Sequence, residues 1–393
     1  MLGHSPPLPL IIDHLDGDHT ITTEDKEGII LSLQHRHRVR RIRLEMPVPS
    51  LQKLIAATDD EFPILDYLYI RPPTKEDTSL ILPRALRAPH LRHLILRNFA
   101  FPSSLLTTTT GLVTLSLQWV HPSAGFRPND FLRLLSPMPQ LETVGITLHS
   151  PVPSRDVERQ LLHTPITTQV AFPNLRWFAF RGSSAYLEAL LPRMTTPLLE
   201  KLQILFYNQL RFPLPHLLQF LSAAENLRFN SARLMFQEEA VFVRMYPYDG
   251  AKMCSLYMQV TCRHLDWQVT SAAQIFKALR TVLIAVEHLT LEYGRYLTSS
   301  EWQNEADRTQ WRELLKPFGN VKTLQVDKDL VGQLSRSLQS DDGESVLEML
   351  PELKELSYLA PRDIGDAFGA FVDARLNAGC PVALVRRRTR LFV

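Results

Sequence analysis

The chain of 393 residues is 45% hydrophobic, and its 43 Lys+Arg nearly cancel its 41 Asp+Glu, leaving a formal net charge of +2. It is long and apolar enough to bury a large core, and too evenly charged to indicate general nucleic-acid binding. No run reaches the ~18 apolar residues of a membrane span, while Cys254, Cys262 and Cys380 lack C-x-x-C spacing and no Asn-x-Ser/Thr sequon occurs, which suits a reducing cytoplasmic or nuclear setting.

Residues 1–15 lack the basic start of a signal peptide, and Pro6, Pro7 and Pro9 interrupt their apolar run. Residues 8–12 read as an opening strand. Asp13, His14, Asp16, Asp18 and His19 follow. Their oxygens could hold a divalent cation, but the spacing is not that of an EF-hand loop, and a polar strand-to-helix turn accounts for them. Thr22 or Thr23, with Glu24 and Asp25 behind it, marks a helix start. The hydroxyl caps free N–H groups and the acids sit at the positive dipole end. This helix is predicted to end near Gln34, ahead of a strand over residues 41–44.

One phrase then recurs: Pro, any residue, Leu, two residues, apolar, one residue, apolar. It starts at Pro63, Pro89, Pro139, Pro173, Pro197 and Pro351, and without its proline at Val39, Leu112, Val286 and Val321. The two closing apolar positions share one side of an extended chain, and the leading one packs beneath the strand entry. Proline is expected to end a helical turn, such as one over residues 83–87, and to launch the strand. The leading positions step by roughly 21 to 35 residues, the leucine-rich-repeat range and its longer variants.

The stretch between Leu199 and Val286 is too long for one repeat. It is predicted to hold two degenerate ones, at Leu234-Met235-Phe236 and Leu256-Tyr257-Met258-Gln259-Val260. Apolar residues at helical spacing lie between the strands, for example Leu51, Leu54, Ile55 and Phe131, Leu132, Leu135. They predict outer helices that bury their faces only by stacking on neighbours. Residues 119–129, 150–169 and 237–254 read as insertions, loops or irregular repeats on one rim, and 340–344 as an exposed acidic turn. The chain closes on a helix over about 363–377, a turn at Gly379-Cys380-Pro381, a strand over 382–385 and a solvated tail at Arg386-Arg387-Arg388. The expected fold is α/β: an irregular leucine-rich-repeat solenoid, with a curved, mainly parallel sheet inside and helices outside. Residues 1–38 form its N-terminal cap, 39–359 its repeats and 360–393 its C-terminal cap.

Strand alternation also points to a surface. If Ile42 and Leu44 face the core, Arg41 and Arg43 face outward, as do Tyr67, Tyr69 and Arg71 in the next repeat, then His93 and Arg97. Trp177, Arg181 and Tyr207 follow further along. Arg, Tyr and Trp are enriched in binding hot spots, and Arg forks suit acidic or phosphorylated segments of a partner protein. The bland alternative is an ordinary solvated sheet face. Later repeats are more acidic, at Glu292, Asp327 and Glu355. No Gly-x-Ser-x-Gly elbow, phosphate-cradling loop or His-Glu-x-x-His pair is present, so no catalysis, cofactor or metal is expected.

Pro-Leu-Ile-Ile-Asp at 9–13, Glu27-Gly28-Ile29-Ile30-Leu31, Arg38-Val39-Arg40-Arg41-Ile42-Arg43-Leu44, Phe62-Pro63-Ile64-Leu65 and the ending Asn377-Ala378-Gly379-Cys380-Pro381-Val382-Ala383-Leu384-Val385-Arg386 together resemble the leucine-rich-repeat region of fungal F-box proteins. The resemblance implies a substrate-holding module of a Skp–cullin–F-box type ubiquitin ligase. The F-box itself is not visible, so the expectation is either a truncated F-box protein, docking on the Skp adaptor only in a full-length product that carries the F-box, or a scaffold that binds without recruiting a ligase. The asparagine position of regular leucine-rich repeats is missing too, so the repeats should be irregular.

Overall fold

In the repeats a proline presets a turn. Leu65 N–H donates to the Phe62 carbonyl at 3.3 Å, placing Pro63 at the second position of a four-residue turn, where its fixed φ belongs. The same bond joins Leu91 to Ala88 (3.1 Å), Leu141 to Met138 (3.3 Å), Leu175 to Phe172 (3.3 Å), Leu199 to Thr196 (3.2 Å) and Leu353 to Leu350 (3.0 Å). The proline therefore shapes the turn into the strand. No helix covers residues 83–87; Arg87 instead makes an isolated bridge to Glu61.

Successive strands are locked by shared carbonyls. The Asp66 carbonyl accepts from Arg92 N–H (2.9 Å) and His93 N–H (3.0 Å), and the Arg92 carbonyl does the same for Val113 and Thr114. Leu65, Leu91, Leu112, Leu141 and Leu175 are fully buried. Each such leucine contributes about 1.5–3 kcal/mol by leaving water.

The computed structural model describes residues 8–15, 21–73, 79–120, 127–148, 166–207, 209, 211–248, 250–294, 306–339, 348–359 and 367–387. The chain divides into two compact units, Met1–Leu199 and Glu200–Val393. The first holds β1 (Leu10–His14), β2 (Val39–Glu45), β3 (Tyr67–Arg71), β4 (His93–Arg97), β5 (Thr114–Val120), β6 (Thr143–Leu148), β7 (Val170–Ala171), β8 (Trp177–Gly182) and β9 (Met194–Thr195). β1 to β6 and β8 are neighbours in that order, and every pairing among them is parallel. β7 and β9 form a separate parallel pair.

Helices Thr23–Gln34, Val48–Ala56, Pro128–Leu135 and Ser184–Leu190 connect these strands. The first starts as expected, with the Thr22 side chain accepting from Asp25 N–H at 3.1 Å, and ends at Gln34. Its neighbour sits beside it, as do the second pair. Leu51, Leu54 and Ile55, and Phe131, Leu132 and Leu135, turn inward and are buried.

The second unit contains β10 (Lys201–Phe206), β11 (Ser231–Gln237), β12 (Ala240–Tyr246), β13 (Leu256–Thr261), β14 (His288–Gly294), β15 (Thr323–Val326), β16 (Glu355–Leu359) and β17 (Ala383–Arg387). Their spatial order is β10, β13, β12, β11, β14, β15, β16, β17. This corrects two expectations. The degenerate stretch is not two sequential repeats, because β13 pairs with β10 and precedes β11 in space. And of the two readings for residues 237–254 the loop gives way, for β12 lies inside them and pairs antiparallel with β11 and β13. Val241, Val243 and Met245 alternate into the core, a period-two signal that carries no Pro-x-Leu phrase.

Helices Leu265–Ala278, Arg308–Leu315 and Val331–Leu338 stand side by side in this unit. The wholly buried Trp311 meets Phe236 of β11 edge to face at 5.3 Å. The closing helix is Gly369–Asn377, and Gly379 ends it at φ +77, a conformation that costs glycine little. Residues 360–366, the acidic turn at 340–344, Arg388, and most of 119–129 and 150–169 lie outside the described residues.

Candidate functional site

Parallel register converts strand alternation into straight rungs across the open face of the first unit. One rung runs Ile11, Arg41, Tyr67, His93, Thr114, Thr143, Trp177. The next runs Asp13, Arg43, Tyr69, Ile95, Ser116, Gly145, Ala179. On the third, Arg71 opposes Glu45 and Arg97 opposes Gln118, while Arg181 opposes Thr147 further along. Nine of the ten expected residues thus share one surface.

Tyr207 does not. It belongs to the second unit and is buried at 7% exposure. β10 stops at Phe206, so the alternation that would have sent Tyr207 outward is broken one residue early. Leu205 occupies the last outward position of that strand.

The first rung is a stack of side chains. Arg41 Cζ lies 4.3 Å from the Tyr67 ring centroid, and that ring is 5.7 Å from His93. His93 Nδ1 is 3.1 Å from Thr114 Oγ1. Burial first, and the Arg92 charge second, hold the His93 imidazole below its ordinary pKa. A cleft of about 380 Å³ opens at this end, lined by Ile11, Arg41, Asp66, Tyr67 and His93 among others. Arg40 Nε donates to Asp66 there at 2.7 Å.

The other arginines are poorly matched. Arg43 and Asp13 approach only to 3.7 Å, as do Arg71 and Glu45, both longer than a hydrogen bond. Glu45 also accepts from the Tyr69 hydroxyl at 3.3 Å. Arg97 has no carboxylate within ion-pair distance among the described residues, and burial together with neighbouring Arg71 lowers its pKa. The Nε groups of Arg41, Arg43, Arg71 and Arg97 are all buried without a hydrogen-bond partner among the described residues. A buried donor left unmade costs about 1–3 kcal/mol.

Sequence reasoning missed Trp119. The β5–β6 register shifts between Leu117 and Val120, and Trp119 sits at φ +60. For so bulky a residue this is an outlier that costs on the order of 1–3 kcal/mol. The bulge turns Trp119 onto the open face, where Arg181 Cζ lies 4.5 Å from its ring. The core positions record it: Leu115 and Leu117 are two apart, but the next buried residue, Val120, is three further on.

The second unit's outward face differs. Arg233 meets Glu292 at 3.5 Å, Arg244 lies 5.8 Å from the Tyr257 ring, and His288 Nδ1 is 2.7 Å from Thr323 Oγ1. Asp327 accepts from Asp329 N–H at 3.3 Å as a helix cap, and burial raises its carboxyl pKa. Of the polar cluster near the N-terminus, Asp13 turns toward Arg43, while Asp16, Asp18 and His19 lie outside the described residues. Among the described residues no group of three or more His, Cys, Asp or Glu could hold a metal ion, and no helix is long and apolar enough to cross a membrane.

No family model and no curated protein matches the chain. Among solved structures, the leucine-rich repeat-containing protein LegL7 from Legionella pneumophila is similar at a TM-score of 0.28 and 11% identity, over 88% of this chain and 93% of that one. The likeness is too distant to bear on chemistry, and the repeat architecture described above stands on the turns and strand registers of this chain alone.

Proposed function

We propose that this chain is a non-catalytic protein-recognition module, and that the open sheet face of its first unit holds an acidic or phosphorylated segment of a partner protein. One observation carries the reading: Arg41, Arg43, Arg71 and Arg97 converge on one face with no carboxylate closer than the 3.7 Å of Asp13 to Arg43 and Glu45 to Arg71 among the described residues. Guanidinium forks pair with carboxylate or phosphate oxygens through two hydrogen bonds at once. Reading residues 1–393 as one solenoid, capped by 1–38 and 360–393, belongs to this proposal. So does the finer reading, a substrate receptor for a Skp–cullin–F-box type ligase, supported by the similarity of the quoted motifs to fungal F-box proteins. The second reading is a scaffold that recognises its partner without recruiting a ligase.

The test is a peptide array of acidic, phosphorylated and neutral sequences probed with the full chain. Selective capture of anionic peptides that weakens with salt, and is lost when Arg43, Arg71 and Arg97 are reversed to Glu, supports the reading. Equal capture of neutral peptides, or capture untouched by those reversals, overturns it. Pull-down of the Skp adaptor by the full-length product separates the two readings: capture favours the ligase receptor, and its failure the scaffold.

A further inference from the structure

Trp177 is an exposed aromatic on the sheet face, at 42% exposure. It stands on the first rung of β8, with Arg181 four residues on, and Trp119 lies diagonally from it, beside Arg181 on the bulge of β5. Between these walls the middle rung is Ser116, Gly145 and Ala179, side chains too short to fill the space. A Cβ built on Gly145 would sit in ordinary van der Waals contact with Ser116 Oγ at 3.6 Å, Ala179 Cβ at 3.8 Å and Ser116 Cα at 3.9 Å, so an alanine fits this floor without a clash. Tryptophans flanking such a floor offer an apolar seat of the hot-spot kind.

We infer that the recognised segment carries a second determinant, an aromatic or large aliphatic side chain seated between Trp177 and Trp119, at a fixed distance from its anionic group. This rests on the anion-binding reading above, because the seat adjoins the arginine cluster on one continuous face. Gly145 is two strands from Arg97 and two residues along, which at ordinary sheet spacings separates them by about 12 Å. An extended peptide covers about 3.3 Å per residue. The apolar residue therefore falls about four positions from the anionic one, the fewest that a fully extended segment needs to cover that distance.

The experiment measures fluorescence anisotropy of the full chain with Gly/Ser peptides carrying one phosphoserine and one phenylalanine. Their separation is varied from one to about eight residues, and a parallel set carries glutamate in place of phosphoserine. Tightest binding at a separation of about four, and about tenfold above the phosphoserine-only peptide, is expected. In Gly145→Leu the ratio should fall to about one, because the new side chain occupies the seat; Gly145→Ala, with an unchanged unfolding midpoint, should retain most of it. A gain equal at every separation, or one that persists in Gly145→Leu, overturns the inference while anion binding stands. Binding no better than to a neutral peptide in every arm overturns the recognition reading and this inference with it. The glutamate set separates a phosphoryl from a carboxylate ligand within the same site.

Discussion

Arg41 places its guanidinium 4.3 Å above the ring of Tyr67, its direct partner across the β2–β3 ladder. An arginine over a tyrosine face at a half-exposed site contributes about 0.5–1 kcal/mol. A double-mutant cycle with Arg41→Ala and Tyr67→Leu, read by urea unfolding, should return a coupling of that size. Strict additivity would mean the pair is not formed in solution.

His93 gives the fold a pH response of known sign. Its folded pKa lies below the ordinary value, so the unfolded chain takes up this proton first as pH falls. Stability should decline on acidification between the ordinary histidine pKa of about 6.5 and the lower folded value, and above that window this residue adds no pH dependence. His93→Gln should flatten this part of the slope in denaturant titrations across pH. An unaltered slope would remove His93 from the account.

Adjacent residues of β4 should behave differently. Leu94 is fully buried and Ile95 lies on the open face. Leu94→Ala should cost about 2–5 kcal/mol through the cavity it leaves, and Ile95→Ala about 1 kcal/mol or less. Comparable losses at both sites would contradict the alternation on which the surface depends.

Gln268, wholly buried, ties the hairpin to its helix. Its Nε2 donates to the Gln237 carbonyl at 2.6 Å and the Cys262 carbonyl at 2.8 Å. Gln268→Met keeps the volume and removes both donors. A loss of about 1–3 kcal/mol is expected, and a stability equal to the parent would show that water satisfies those carbonyls instead.

Burial pushes the Cys262 thiol up to about 12, whereas Cys254 and Cys380 are only partly covered. Since the thiolate is the reactive form, Cys262 should be alkylated last at neutral pH in the folded protein. Mass spectrometry of a labelling time course would show it, and early labelling of Cys262 would mean that β13 opens readily.

Much of this molecule was written in its sequence as local rules. The Pro-x-Leu phrase specified the turn because proline fixes its own φ, and alternation specified the outward row because consecutive strand residues face opposite sides. Hence Arg41, Tyr67 and His93 were legible as surface residues before their register was known. Three features were not legible. β12 inserts antiparallel because a strand's neighbour is chosen by long-range pairing, which no local phrase encodes. Trp119 faces outward because a bulge against β6 resets the alternation. Tyr207 is buried because β10 ends one residue before it. Local chemistry thus decided what each repeat is, while tertiary pairing decided which side chains finally meet, since only a folded sheet sets the register between residues distant in the chain.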